Sequence, residues 1–419
     1  MLKLPRGTRD FTSKEMQKRR YIENIMRSTF RSYGYNEIQT PTFETLELFK
    51  VKSGQGILDE LYYFKDKGDR ELALRPELTA PVIRFYVDKL QMEPKPLKLF
   101  YFGNCYRYDR PQKGRYREFT QAGCEIIGTD TPEALAELIS LAYYILINAG
   151  INNLKLKIGN LSILTSIFNQ MKLTKDQQKY IIPLIDKSIY DDIYNALKDF
   201  GIDSNNAENL INFLQTSDIK TIKKNIKEES AKGEITKLEK IIFLLEYAFG
   251  IKNFQIEMSI VRGLDYYKGL VFEIEAPILG AEKQLCGGGA YELISLFGGR
   301  DSPTAGFAIG FDRTIVALES ENFNFPKTKI DVFIISLDED LIEKSINIAQ
   351  TLRKQGLTVD LDLMRRGLGK SLKYASSINA KNVVIIGSNE LKQDSVTIRN
   401  METGDQKQIK IKDIKNNIW

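Results

Sequence analysis

Between residues 97 and 128 apolar and polar side chains alternate with a period of two on either side of a basic, turn-rich run, and nothing else in the chain constrains the fold as strongly. The pattern predicts one strand from residue 97 to about Asp109, a loop over 110–116 and a return strand over 117–127. These two strands should pair antiparallel, with a loop longer than a turn requires. Side chains two apart on a strand share a face, so Gln121, Gly123 and Glu125 line up, with Gly123 leaving a gap between two polar groups. The reverse face, Thr120, Ala122, Cys124 and Ile126, is small and mostly apolar. A polar face of this kind is either solvated or the floor for a polar ligand. Arg107, Arg110, Lys113, Arg115 and Arg117 crowd the loop. Arginine offers a planar fork of donors that matches phosphate oxygens, so cations at the mouth of a polar-floored sheet favour phosphate or nucleic acid over ordinary surface.

The flanking segments extend this picture. Thr12-Ser13-Lys14-Glu15 is a capping-box pattern, followed by Ile22, Ile25, Met26, Phe30 and Tyr33 at helical spacing and by Gly34 as a stop. Residues 35–40 read as a strand ending at Pro41. Residues 160–250 are mostly helical and rich in Lys, Asn and Ile, and read as an insertion. Strand character returns over 255–260 and 270–274, and residues 304–320 read as a strand entering an apolar helix. After a linker at 322–327 the grammar becomes βαβαβ, with strands at 331–336, 358–363 and 383–386, helices at 339–355 and 369–379, and two short polar strands at 395–399 and 408–411.

Composition narrows the chemistry. With 0 histidines among 419 residues, Ser-His-Asp and Cys-His catalysis and histidine-ligated metal are all excluded. The net charge of +5 permits an anionic partner without requiring one. Three widely spaced cysteines suggest neither a disulfide framework nor a zinc site, which makes a reducing cytoplasm the expectation. The N-terminus shows no signal-peptide pattern, and the most apolar stretch, 138–147, is too short to span a bilayer.

Further groups could carry chemistry. Glu77 and Thr79 would point the same way from an extended segment and could hold an ammonium, or Thr79 could simply open a helix. Arg262-Gly263-Leu264-Asp265-Tyr266-Tyr267 combines a cation with two aromatics bearing polar tips. Gly287-Gly288-Gly289 would let backbone approach a ligand closely. Arg313 stands in the first turn of a helix, where the dipole disfavours a cation, so it either pairs with Asp312 or Glu319 or meets an anion.

Taken in order, these motifs resemble the class II aminoacyl-tRNA synthetases, and among them the histidyl-tRNA synthetase family. Residues 33–49 are similar to the first class II motif, 102–125 to the second and its loop, 261–267 to the family's histidine signature, and 306–313 to the third. Asp109 and Asp312 each stand where the family usually has Glu, and Gly289-Ala290-Tyr291-Glu292 where Gly-Arg-Tyr-Asp is familiar. The resemblance implies an α+β chain. Its catalytic domain, residues 1–325, would have six antiparallel strands as a floor and a helical insertion at about 160–250; an α/β anticodon-binding domain would follow at 326–419. It implies a homodimer, and ATP and histidine as substrates, with Mg²⁺ bridging the ATP phosphates and no metal ligand assigned to the chain. Arg107, Arg262 and Arg313 would be catalytic. Arg107, Asp109, Tyr116 and Arg313 would bind ATP; Glu77, Thr79, Gln121, Glu125, Arg262, Tyr266 and Tyr267 would bind histidine. Arg110, Gln112 and Lys113 would meet the acceptor end of histidine tRNA.

The implied activity is ligation of histidine to its tRNA through histidyl-adenylate. The alternative is a regulatory subunit of histidine biosynthesis on the same fold, which usually lacks the catalytic arginines and the final domain; this chain has Arg107, Arg262, Arg313 and a final domain. On the ligase reading, every imidazole in the site belongs to the substrate. The absence of histidine then reflects either drift or a means of being translated when charged histidine tRNA is scarce.

Overall fold

In the computed structural model, which describes residues 2–53, 55–110, 115–226, 229–261, 267–327 and 329–418, the alternating segment forms the hairpin its period demands. The chain divides into two units, Met1–Asn324 and Phe325–Trp419. Strands of the first are β1 (Asn36–Glu37), β2 (Phe43–Thr45), β3 (Tyr63–Lys65), β4 (Glu71–Leu74), β5 (Leu97–Tyr106), β6 (Glu118–Ile127), β7 (Lys155–Asn160), β8 (Phe254–Ile256), β9 (Tyr267–Glu275), β10 (Gln284–Tyr291) and β11 (Thr304–Gly310). An 8-stranded sheet runs β1-β5-β6-β11-β10-β9-β7-β8. Every pairing from β5 to β7 is antiparallel, while β1 and β8 lie parallel at the two edges. The hairpin register runs from Leu97↔Ile127 to Tyr106↔Glu118, so both strands end short of the predicted Asp109 and Arg117.

Both edge strands are shorter than their sequences suggest. Only Asn36 and Glu37 pair with β5, and the ladder is extended by a single bond from the Ile38 amide to Phe100. Likewise β8 stops at Ile256, with the Glu257 amide still donating to Ile158. An edge strand has one partner only, so its length is set by the neighbour as much as by its own residues.

Helices α1 (Ser13–Ser32), α2 (Leu46–Ser53), α3 (Thr79–Phe85) and α4 (Pro132–Ala149) precede β7. The capping box at α1 forms as predicted: Thr12 Oγ1 accepts from the Glu15 amide and the Glu15 carboxylate accepts from the Thr12 amide. Buried Ile22, Met26 and Phe30 face the sheet, where the Phe30 ring stacks 4.8 Å from Phe100 and 6.0 Å from Phe307. The most apolar stretch of the sequence becomes α4, buried along Leu138, Ile139, Leu141 and Ile145 and packed on α1. Among the described residues no helix is long and apolar enough to cross a membrane. Between β7 and β8 lie α5 (Leu161–Gln170), α6 (Lys175–Asp186), α7 (Tyr190–Asp199), α8 (Ser204–Gln215), α9 (Ile219–Asn225) and α10 (Glu229–Tyr247). Helix α11 (Phe311–Ser320) follows β11 directly.

The second unit is a 5-stranded sheet of β12 (Ile330–Ser336), β13 (Val359–Leu361), β14 (Ala380–Ile386), β15 (Ser395–Asn400) and β16 (Gln406–Lys410), in the order β13-β12-β14-β15-β16. β12 pairs parallel with β13 and β14, and the last two strands add antiparallel. Helices α12 (Ile342–Lys354), α13 (Leu368–Ser377) and the unpredicted α14 (Ser388–Lys392) complete it. Val332 and Ile334 enter one buried cluster and Phe333 and Ile335 another. Burial of both sheet faces explains why this strand reads as a continuous apolar run.

Candidate active site

The register builds a trough across the middle of the large sheet. Glu125 pairs with Gly306, and Gly306 with Gly289; one step along, Gly123 pairs with Ala308, and Ala308 with Gly287. Side chains opposite one another in antiparallel strands share a face, so glycine and alanine at these places let neighbouring groups lie close over the floor and keep it low. Two adjoining cavities occupy the trough, of about 420 Å³ and about 270 Å³. Both are lined by Arg107, Gln121, Gln284, Gly287 and Ala308, which form their junction.

The larger cavity is also lined by Glu77, Thr79, Glu125 and Tyr267. Glu125 is 1% exposed. Gly306 makes room for it, since a Cβ there would lie 1.7 Å from Glu125 Oε2. Its Oε1 accepts the Tyr101 hydroxyl at 3.0 Å and its Oε2 the Tyr291 hydroxyl at 2.5 Å. Burial pushes the Glu125 carboxyl up to about 8, against the opposing pull of these hydroxyls, Tyr291 first. The gap expected at Gly123 is filled: Tyr101, its cross-strand partner, lies over it, and a Cβ would come within 2.6 Å of that ring and 2.5 Å of the Phe307 carbonyl. The Tyr267 ring stands edge-on to Tyr291 at 6.1 Å. Gln121 accepts a bond from the Cys105 thiol at 3.3 Å, and burial pushes that thiol up to about 12, so it stays a donor.

Glu77 and Thr79 share this cavity, but not from an extended segment. Thr79 begins α3, and the Glu77 carboxylate accepts the Thr79 amide at 2.7 Å and the Ala80 amide at 3.1 Å. The helix start thus fixes the carboxylate, as helix N-termini do for anions. Lys52 Nζ lies 3.2 Å from the same carboxylate, in an ion pair 7% and 17% exposed. The Thr79 hydroxyl is 3.5 Å from the Tyr101 hydroxyl, which links the two carboxyl groups through one tyrosine. A cavity with acceptors at both ends suits a ligand that carries donors at both ends.

The smaller cavity is lined by Arg107, Asp109, Arg115, Tyr116, Phe119 and Arg313. Three guanidinium groups in one recess suit a polyanion. Arg107 is anchored by Nε donating to the Pro76 carbonyl at 3.0 Å and lies over the Phe119 ring at 5.3 Å. Arg313 pairs with neither Asp312 nor Glu319. Its guanidinium bonds the Glu282 carboxylate at 2.6 Å and the Gln284 carbonyl at 3.1 Å. Asp312, 3% exposed, instead accepts the Thr120 amide and pairs with Arg9 and Arg19.

Arg110 is exposed at the start of the basic loop and lines neither cavity. Gln112, Lys113, Arg262 and Tyr266 lie outside the described residues. Sequence reasoning missed Tyr101, Lys52, Glu282, the Arg9–Arg19–Asp312 cluster and Glu273, which lines the larger cavity and accepts the Gln284 side-chain amide at 2.9 Å. A signal for the trough did exist: Gly306, Ala308 and Gly310, like Gly287 and Gly289, repeat small residues at period two.

Residues 7–314 match the family model described as histidyl-tRNA synthetase, and residues 331–418 the one described as an anticodon binding domain. The histidine–tRNA ligase of Methanocaldococcus jannaschii is 43% identical over 422 residues, covering 99% of this chain and 99% of that protein. That of Archaeoglobus fulgidus is 44% identical over 402 residues, 96% of each. The crystal structure of apo histidyl-tRNA synthetase from S. aureus superposes with a TM-score of 0.78 at 30% identity, over 100% of both chains.

Proposed function

The chain belongs to the histidyl-tRNA synthetase family, and on that premise we propose how its residues activate histidine with ATP and pass it to the 3′ end of histidine tRNA. The observation that carries the proposal is the junction of the two cavities at Arg107 and Gln121. Histidine occupies the larger one. Its imidazole lies against Glu125 and Tyr267, with Tyr266 nearby, and its ammonium and carboxylate ends against Glu77, Thr79 and Gln121. A site that bonds both ring nitrogens rejects apolar analogues strongly, because its buried polar groups would be left unpaired. ATP enters the smaller cavity as its magnesium complex, with Asp109 and Tyr116 toward the nucleoside and Arg107 and Arg313 on the phosphates.

At the junction a histidine carboxylate oxygen bonds to the α-phosphorus, and the bond from that phosphorus to the bridging oxygen breaks. Pyrophosphate leaves with the electron pair, giving histidyl-adenylate. Arg262 stabilises the charge that grows on the α-phosphate. The terminal ribose hydroxyl of the tRNA then attacks the activated carbonyl and releases AMP. Arg110, Gln112 and Lys113 guide the acceptor end, and residues 331–418 read the anticodon. The match over nearly the full length of known ligases does not favour the regulatory-subunit alternative.

Two assembly features complete the proposal. A second copy covers the exposed Phe43, Tyr63 and Phe64 of the small β2-β4-β3 sheet, giving a homodimer. The buried, free Cys105, Cys124 and Cys286 support a reducing compartment, the cytoplasm. The catalytic assignment is tested by charging histidine tRNA with labelled histidine. Arg262→Ala lowers turnover by far more than it raises the KM for histidine, because it acts on developing charge. Equal changes in both would remove Arg262 from that role.

A further inference from the structure

Residues 7–11 take no part in the reading above, yet Arg9 packs directly behind residues that line the nucleotide cavity. The Gly7 carbonyl accepts the Arg117 amide at 3.0 Å, joining this segment to the chain that leaves the basic loop. Two residues on, the Arg9 guanidinium lies 3.3 Å from the centroid of the Tyr116 ring. The same guanidinium donates to Asp312 Oδ1 at 2.6 Å. Asp312 is buried, and its other oxygen accepts the Thr120 amide at 2.7 Å. Arg19 adds a second cation to Asp312 at 2.6 Å and reaches the Thr120 hydroxyl at 3.0 Å. Tyr116, Thr120 and Asp312 all line the nucleotide cavity, whereas Arg9 and Arg19 line neither cavity.

We propose that Arg9 is a positioning residue for ATP, holding Tyr116 by its planar face and Asp312 by its donor edge. This rests on the assignment of the smaller cavity to the nucleotide. Two geometric facts carry it. Tyr116 stands on the returning side of the basic loop and lines the cavity, so Arg9, stacked on its ring, sets where that side of the loop meets the cavity. Asp312 is also the neighbour of Arg313 in sequence, and an unmatched carboxylate there would repel a triphosphate. With two arginines on Asp312, Arg313 faces Glu282 and the nucleotide side instead. A guanidinium can stack and fork at once, and an ammonium cannot.

The test is ATP–pyrophosphate exchange by the full chain, with ATP and histidine varied separately, for Arg9→Ala and Arg9→Lys. Arg9→Ala is expected to raise the KM for ATP by about 10- to 100-fold, the scale on which misplaced positioning groups act. The KM for histidine should stay within about twofold, since Tyr116, Thr120 and Asp312, the groups Arg9 and Arg19 hold, line the smaller cavity and not the larger. Arg9→Lys retains the charge on Asp312 and loses the stack, so about two- to fivefold of the effect should remain. It also keeps the test open if Arg9→Ala does not fold. A general loss of structure would move both KM values together and lower the Tm; that pattern, or an unchanged KM for ATP, overturns the proposal. Should the wild-type chain show no exchange, the function assigned above fails, and calorimetric titration with ATP still decides the role of Arg9. Equal ATP affinity in wild type and Arg9→Lys overturns it.

Discussion

Removing the Tyr291 hydroxyl should weaken histidine capture in a way that depends on pH, and the dependence follows from where Glu125 sits. In the empty site Glu125 is buried, its carboxyl pushed up to about 8, so near pH 7 it holds its proton most of the time. Free imidazole, with an ordinary pKa of about 6.5, is mostly neutral there. On the proposed placement of histidine against Glu125, binding should pass the proton from Glu125 to the ring, giving a carboxylate–imidazolium pair with no net uptake between about 6.5 and 8. Tyr291 donates to that carboxylate at 2.5 Å. A hydrogen bond to a charged group contributes about 1.5–3 kcal/mol. Tyr291→Phe therefore destabilises the complex by that amount and the protonated empty site by about 0.5–1.5 kcal/mol, a net loss of about 1–1.5 kcal/mol, or about 5- to 13-fold in kcat/KM for histidine at pH 7. The protonated empty site feels the change less, because a bond to its neutral carboxyl contributes only about 0.5–1.5 kcal/mol. Above the Glu125 pKa of both proteins the empty site bears the same penalty as the complex, so the deficit closes toward unity. The assay is exchange at saturating ATP from pH 6 to 10, read as the ratio of mutant to wild-type kcat/KM, in which titration of the substrate's own groups cancels. A deficit that is constant with pH would refute the proton-transfer reasoning. A matching rise in the KM for ATP would refute the placement of histidine against Glu125.

Stability of the empty protein carries the same signature. The folded chain keeps a proton on Glu125 up to about pH 8, whereas an unfolded glutamate releases it near 4.3, so wild type loses stability as pH rises between the two values. Glu125→Gln has no such proton, so its Tm advantage over wild type should widen from pH 5.5 to 8.5 without histidine; a constant gap contradicts the raised carboxyl. A chain ending at Asn324 should retain most adenylate formation and lose most tRNA charging, because each unit has its own core. Parallel loss of both activities, measured on folded protein, would place part of the adenylation machinery in the second unit.

What could be read from the residues divides along the range of the interactions. The α1 capping box and the hairpin were legible because their determinants lie within a few residues, or repeat with a strand's own period. The polar face of Gln121 and Glu125 was legible for the same reason. The filling of the Gly123 gap was not, because it depends on which residue of β5 falls opposite. The Glu77–Thr79 pair was ambiguous between a ligand site and a helix opening at Thr79; the structure has both, with Thr79 opening α3 and Glu77 bonding its amide while facing the cavity, and local sequence could not choose. The partner of Arg313 lies 31 residues away, at Glu282 on another element, and no spacing rule reaches it. Arg9 was passed over for the same reason: an N-terminal arginine has no local pattern, and its partner is 303 residues distant.

The central claim is that this chain makes histidyl-adenylate in two cavities that meet at Arg107. ATP–pyrophosphate exchange by the purified full-length protein tests it most directly, with each of several amino acids supplied in turn. Exchange should appear with histidine and stay at background with proline, glycine and threonine, and Arg107→Ala should abolish most of it. No histidine-dependent exchange at any histidine concentration would contradict the account.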